Sequence, residues 1–233
     1  MLRLNSKVLA SARLNGKTVK VARLNGRDVW TAGIRNLTET FTTLDLDLWR
    51  LACDPASSRA YPYVAGGLLH AGTPSALWSG KPAQSAYTRE EADNATGTWT
   101  VKVGPSNGLA GLYSGVILGT DNSTGRMTEV VWDRNNIRFR YRTAATNSWV
   151  TLGSVSISLS AGDLMRVERY RRPGGYGVRV FQNGVARGAW TDSSLIPGED
   201  NGRFIGVRLQ GDKDLFSDLR SSSISEFIFT AGE

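Results

Sequence analysis

Apolar and polar residues alternate with a period of two along most of this chain, and long runs with the period of an amphipathic helix are missing. In TWTVKV, Trp99, Val101 and Val103 fall on one side and Thr98, Thr100 and Lys102 on the other. SVSISL sets Val155, Ile157 and Leu159 against serines, and NIRFRYR sets Ile137, Phe139 and Tyr141 against Arg138, Arg140 and Arg142. Such alternation predicts strands with one buried face. YGVRVFQNGVARGAW contains Asn183-Gly184, a dipeptide suited to a two-residue hairpin turn in which both residues take positive φ. GRFIGVRLQG and SISEFIFTAG predict the final strands. From residue 37 onward roughly a dozen such runs, separated by Gly, Asn, Asp, Ser and Pro, predict an all-β, two-sheet sandwich.

The opening residues run on a shorter period. SARLNGKTVK and VARLNGRDVW state nearly the same phrase twice, and MLRLNSKVLA is a looser third copy. Asn15-Gly16 and Asn25-Gly26 are hairpin dipeptides, with Asn5-Ser6 a weaker version. The pattern predicts a small antiparallel β-meander over residues 1–34, ahead of a sandwich over residues 35–233. With two-residue turns, Leu14 faces Lys17, Ala12 faces Val19, Arg23 faces Asp28, and Val21 faces Ala10 on one side and Trp30 on the other. Val8, Ala10, Ala12, Leu14, Val19, Val21 and Trp30 then share one face. A meander this small rarely buries enough surface to stand alone. It either packs on its own chain or docks onto another protein or onto copies of itself, through Val8, Val19, Val21, Arg23, Asp28 and Trp30.

Charge sharpens the division. The chain of 233 residues has a net charge of +7, and residues 1–30 hold Arg3, Lys7, Arg13, Lys17, Lys20, Arg23 and Arg27 against Asp28 alone. The remainder is close to neutral, so the basic character belongs to the meander. An acidic partner surface suits it; nucleic acid is disfavoured, because no recognition helix or single-strand stacking motif accompanies the charges. Cys53 is the single cysteine, which excludes an intrachain disulfide and a cysteine zinc site. No charged segment followed by an apolar one opens the chain and no run of about 18 apolar residues occurs, so neither secretory export nor membrane insertion is expected.

The order of FTTLDLDLWRL, YVAGGLLHAG, TWTVKVGPSNGLAGLYSGVILGTDN, LSAGDLMRVERY, YGVRVFQNGVARGAW and SSSISEFIF resembles the concanavalin-like, or laminin-G-like, jelly roll. That resemblance implies a first strand lying beside the last and the Asn183-Gly184 hairpin near the middle of the curved sheet. VARLNGRDVW resembles short segments of minor tail proteins of phages that infect actinobacteria. Together the two resemblances imply a structural virion protein of a tailed phage. It would be assembled in the host cytoplasm, sit in the particle's tail beside other tail proteins as a homotrimer, and display the jelly roll to a host cell-surface glycan. The alternatives are a capsid-surface decoration protein and a carbohydrate-binding lectin module with no assembly role.

Some concanavalin-like domains cleave glycans, and a retaining mechanism needs two carboxylates about 5–5.5 Å apart. Asp45 and Asp47 are the close alternating pair, and they lie on the entry strand. Glu90-Glu91-Ala92-Asp93 lacks the alternation and reads as a loop. His70 is the single histidine and reads as a strand-end surface residue, which removes most nucleophile-plus-base schemes. The expectation is therefore a protein that is not an enzyme, with no cofactor. Asp121 with Asn122, Asp133 with Asn135, and Glu199, Asp200 and Asn201 offer oxygens to calcium, but turn chemistry accounts for all three and no metal is expected. Trp78, Trp149 and Trp190 adjoin turns and are the candidate glycan platforms, against the alternative of core or rim packing. The Arg138, Arg140, Arg142 stripe reads as an exposed strand face, or as a contact for anionic wall polymers or an acidic neighbour.

Overall fold

The computed structural model describes residues 33–54, 60–75, 77, 81–108, 111–121, 125–144, 148–193 and 202–232, and the backbone of six short strands before them. Those six strands are β1 (Arg3–Leu4), β2 (Lys7–Val8), β3 (Ala12–Leu14), β4 (Lys17–Val19), β5 (Val21–Leu24) and β6 (Arg27–Thr31). They pair as three two-stranded ladders, each flanking one of the Asn-Ser or Asn-Gly dipeptides. Ala12 faces Val19, Leu14 faces Lys17 and Arg23 faces Asp28, as the two-residue turns require. One register differs from expectation. The ladder shifts between Ala22 and Arg23, so Trp30 faces Ala22, and Val21 faces Thr31. A β-bulge sets two residues against one and moves every later partner by one position. The side chains of Val8, Val19, Val21, Arg23, Asp28 and Trp30 lie outside the described residues.

The rest is a sandwich of two antiparallel sheets. The first runs β19 (Val185–Asp192), β18 (Gly175–Gln182), β17 (Leu164–Arg172), β12 (Gly97–Val103), β22 (Ile224–Ala231), β10 (Leu68–His70) and β9 (Tyr63–Ala65), with β7 (Asn36–Glu39) also paired to β22. The second runs β16 (Val150–Ser156), β15 (Asn136–Arg142), β14 (Met127–Trp132), β13 (Ser114–Thr120), β20 (Phe204–Lys213), β11 (Ala83–Thr88) and β8 (Trp49–Asp54), with β21 (Asp218–Arg220) on the end of β20. Among the described residues there is no helix. The expected neighbourhood of first and last strands holds: Leu37 of β7 faces Phe229 of β22.

The inner faces make one core. Trp99, Val101 and Val103 of β12 are buried as their alternation predicts, and the Trp99 ring packs 5.0 Å from that of Phe229. Trp49 meets Phe227 edge-on at 5.7 Å. Burying a side chain of this size contributes about 1.5–3 kcal/mol; Trp99 and Phe229 face each other on neighbouring strands of the first sheet, while Trp49 and Phe227 join the two sheets. Asn183 and Gly184 take φ of 52° and 80°, the type I′ geometry that the dipeptide favours. The hairpin they form is β18–β19, and β19 is an edge strand, not the middle of the sheet.

The open side between edge strands β19 and β16 is closed by Trp190. Its ring stacks on Phe139 at 6.1 Å and lies over Gly153 and Gly188, where an added Cβ would collide with it. Trp190 therefore packs against the core, the alternative that the sequence offered to a glycan platform. LDLDL also departs from expectation. Asp45 Oδ1 accepts from the Asp47 amide at 2.8 Å, and the Asp45 carbonyl accepts from Trp49 N at 2.8 Å. The segment is a turn ahead of β8, because a short acidic side chain that bonds the backbone two residues on competes with extended structure.

Candidate functional site

The outer face of the second sheet carries a cluster of charges that strand alternation alone places there. In β14, Val130 and Trp132 enter the core, which turns Met127, Glu129 and Val131 outward. In β15, Ile137 and Phe139 enter the core and Arg138, Arg140 and Arg142 face out. In β20, Val207 and Leu209 point inward and Arg208 outward. The register sets Glu129 directly opposite Arg140, and Arg208 opposite both Ser85 and Gly115.

The arginines converge on few acids. Glu129, whose side chain is fully inaccessible, accepts from Arg140 Nε at 2.7 Å and lies 3.4 Å from Arg208 Nε, close enough for an ion pair but misaligned for a hydrogen bond. Arg208 Nη1 donates to Ser85 Oγ at 2.7 Å. Arg142 donates through Nη1 to Asp54 and through Nε to the Gly125 carbonyl at 2.9 Å. Burial pushes the Arg208 guanidinium down to about 10; Glu129 opposes that shift, and Arg140 and Arg142 add to it.

Trp149, one of the three tryptophans singled out from sequence, joins this cluster. Its ring lies 4.5 Å from the Arg140 guanidinium carbon, 5.0 Å from that of Arg142 and 5.4 Å from that of Arg208. Tyr113 stands 5.1 Å from both Arg138 and Arg140. Beside Trp149 lies a small apolar patch of Tyr87, Ile117, Met127, Ala52 and Phe204. An aromatic ring set among fixed polar groups is the makeup of a saccharide-binding surface, since one face packs on C–H groups while the neighbours bond hydroxyls. The arginine stripe was expected to be exposed. Arg140 and Arg142 are instead buried, because acids from β14 and β8 pair with them and Trp149 lies over them.

The other sequence candidates separate from the cluster. Trp78 lies outside the described residues, as do Asn122, Glu199, Asp200 and Asn201. Asp133 spends its oxygens on its own turn and a neighbouring loop, accepting from the amides of Asn135 and Asn136 at 2.8 Å and Gly111 at 3.1 Å. Asp121 faces Arg126. His70 stacks on Tyr63 at 5.4 Å and its Nε2 lies 3.2 Å from the Ala65 carbonyl. Glu91 holds Arg203 at 3.0 Å in a loop, as its lack of alternation implied. Glu129 and Arg208 were missed; the signal for Glu129 was a lone acid at an alternate position of the otherwise apolar strand MTEVVW.

No family model and no curated protein sequence matches the chain. Solved structures do. A β-glucanase of Bacillus licheniformis superposes with a TM-score of 0.59 at 13% identity, over 85% of this chain and 99% of that one. The exoplasmic/lumenal domain of VIP36, bound to Ca²⁺ and Man3GlcNAc, gives 0.57 at 10% identity, over 84% of this chain and 88% of that one. The legume lectin-like domain from Entamoeba histolytica gives 0.52 at 10% identity, over 80% and 91%. The fold is therefore the concanavalin-like jelly roll shared by lectins and glucanases. The expectation of a protein without enzyme activity does not survive this comparison: glucanases, including an endo-1,3-β-glucanase from Streptomyces sioyaensis, stand beside lectins among the neighbours. One reason that expectation misled is that it weighed Asp45 and Asp47, which form a turn, while the carboxylates on the second sheet's outer face are Glu129 and Asp54.

Proposed function

We propose that this chain is a carbohydrate-recognition domain whose binding surface is the outer face of the second sheet. The observation that carries the reading is Trp149, half-buried among Arg140, Arg142 and Arg208 on that face. The lectin domains among the structural neighbours support it. The test is binding of the intact protein to a panel of polysaccharides: Trp149→Ala should weaken binding by about tenfold or more, the loss of one stacking ring being ~1.4 kcal/mol or more. Unchanged affinity in the variant would remove this face from consideration.

The finer reading concerns where the domain works. The threefold basic repeat supports a role in attaching the sandwich to a larger particle, a phage tail, with the protein acting as a homotrimer that meets glycans of the host surface. A chain beginning at Asn36 should keep its glycan affinity but fail to oligomerise or enter particles, as read by light scattering and by antibody labelling of virions. Normal incorporation would refute that role.

Glycan cleavage is a second reading, favoured by Glu129, a buried carboxylate on the same face, with Asp54 as the other acid there. Reducing ends released by the wild type and abolished in Glu129→Gln would establish it.

A further inference from the structure

The charges on the outer face of the second sheet do not balance, and the excess lies beside an opening. Arg140, Arg142 and Arg208 share two carboxylates, Glu129 and Asp54, while Asp121 nearby is engaged by Arg126. Arg208 is 1% exposed, and its Nη2 has no hydrogen-bond partner among the described residues. A buried guanidinium nitrogen without an acceptor is unfavourable, and here it coincides with an excess of positive charge. Arg208 and Arg142 both line a cleft of about 120 Å³, whose walls include Ser85, Tyr87, Met127 and Asp54. Pockets for whole ligands run about 300–1,000 Å³. This cleft has room for a substituent, not for a sugar ring with its neighbours.

We propose that the cleft takes the anionic substituent of a glycan, a uronate carboxylate or a phosphate ester, with Arg208 and Arg142 as its donors and the sugar ring against Trp149. This rests on the carbohydrate-binding reading and specifies its ligand. An oxyanion in the cleft meets the two arginines that line it, through charge-assisted bonds of the kind guanidinium groups make best. It also offsets the mutual repulsion of three crowded guanidiniums, the same repulsion that, with burial, depresses Arg208 to about 10. At neutral pH Arg208 remains cationic, so the cleft is charged when it meets its ligand.

The experiment is titration calorimetry of the full chain against polygalacturonate, its carboxyl-reduced neutral galactan, and poly(glycerol phosphate), at low salt. The wild type should bind at least one polyanion about tenfold or more tightly than the neutral polymer, and which polyanion wins separates carboxylate from phosphate. Arg142→Gln should reduce that preference to about two- to threefold, and Arg142→Lys should restore part of it. Galacturonate should compete about tenfold better than galactose for the wild-type protein, a measurement that needs no variant. Equal affinity for charged and neutral polymers overturns the inference and leaves glycan binding standing. Binding to none of the polymers overturns the carbohydrate reading beneath it. A preference that survives Arg142→Gln in a folded variant, judged by an unchanged melting profile, places the anion elsewhere and refutes the cleft.

Discussion

Among the described residues, buried arginines occur in two settings, and these are built on different terms. Inside the sandwich Arg169 meets Asp192, Nε to Oδ2 at 2.8 Å, both side chains fully inaccessible. Arg169 Nη1 donates to the Ala95 carbonyl at 2.7 Å, and the guanidinium lies 3.9 Å from the Tyr176 ring. One cation has one anion, a carbonyl and an aromatic face. On the outer face of the second sheet, three guanidiniums divide two carboxylates. A pair of one cation and one anion is neutral as built and belongs to the fold; the cluster holds one cation more than its carboxylates offset. The comparison shows how two charge clusters of similar burial can be told apart by their balance.

The largest effect should come from the matched pair. Asp192→Ala takes from the buried Arg169 the carboxylate it meets and should cost about 3–5 kcal/mol in urea unfolding, whereas replacing both residues with apolar ones of similar volume should recover most of that. A cost below about 1 kcal/mol would break the comparison. Next comes Glu129→Gln, which removes the anion from between Arg140 and Arg208. It should destabilise by about 2–3 kcal/mol, less than Asp192→Ala because the amide still accepts a hydrogen bond. Added galacturonate should raise the melting temperature of the wild type and, because Asp192 does not line the cleft, raise that of Asp192→Ala by a similar increment.

Packing without charge gives a smaller effect. Gly153→Ala drives a methyl into the Trp190 ring and should cost about 1–3 kcal/mol, with a blue or red shift of tryptophan emission as the ring moves off Phe139. The smallest effect is at the surface. Burial raises the Asp163 carboxyl, but bonds from the Ser160 amide, Asn183 and Gln182, with the charge of Arg187, outweigh burial and hold it below the usual 3.8. A depressed folded value contributes stability that is present above pH 3.8 and is lost as pH falls through that lower value. Asp163→Asn should therefore flatten the stability curve below about pH 4 and leave its shape near neutrality unchanged.

The strands were legible because their alternation is local. Trp99, Val101 and Val103 announce their face within one short run, and Asn183-Gly184 announces its turn within two residues. The cluster was not, because its members come from four strands: Asp54 from β8, Glu129 from β14, Arg140 and Arg142 from β15, and Arg208 from β20. Arg138, Arg140 and Arg142 could be placed on one face from sequence, but whether that face is wet depends on Glu129 and Trp149, which no periodicity connects to them. Asp45 and Asp47 misled in the opposite way. Their alternation with leucines mimics a strand, and the hydrogen bond from Asp47 N to Asp45 Oδ1 makes a turn of it. Trp190 adjoins no obvious partner in the chain, and only the placement of Gly153 on the facing edge strand reveals the hollow it fills.

The placement of β22 governs how the sandwich can form. It sits between β12 on one side and β7 and β10 on the other, so Thr38 and Val101 of one sheet are joined only through residues Phe227 and Ile228, far along the chain. Until that segment is available, β7 has no ladder to join, the β9–β10 hairpin is not tied to β12, and Trp99 and Val101 have one side of their strand unpaired. Pairings this distant in sequence fold slowly, on the order of milliseconds to seconds. During synthesis the open edge of β12 waits for its partner, the interval in which a β protein is most exposed to misassembly.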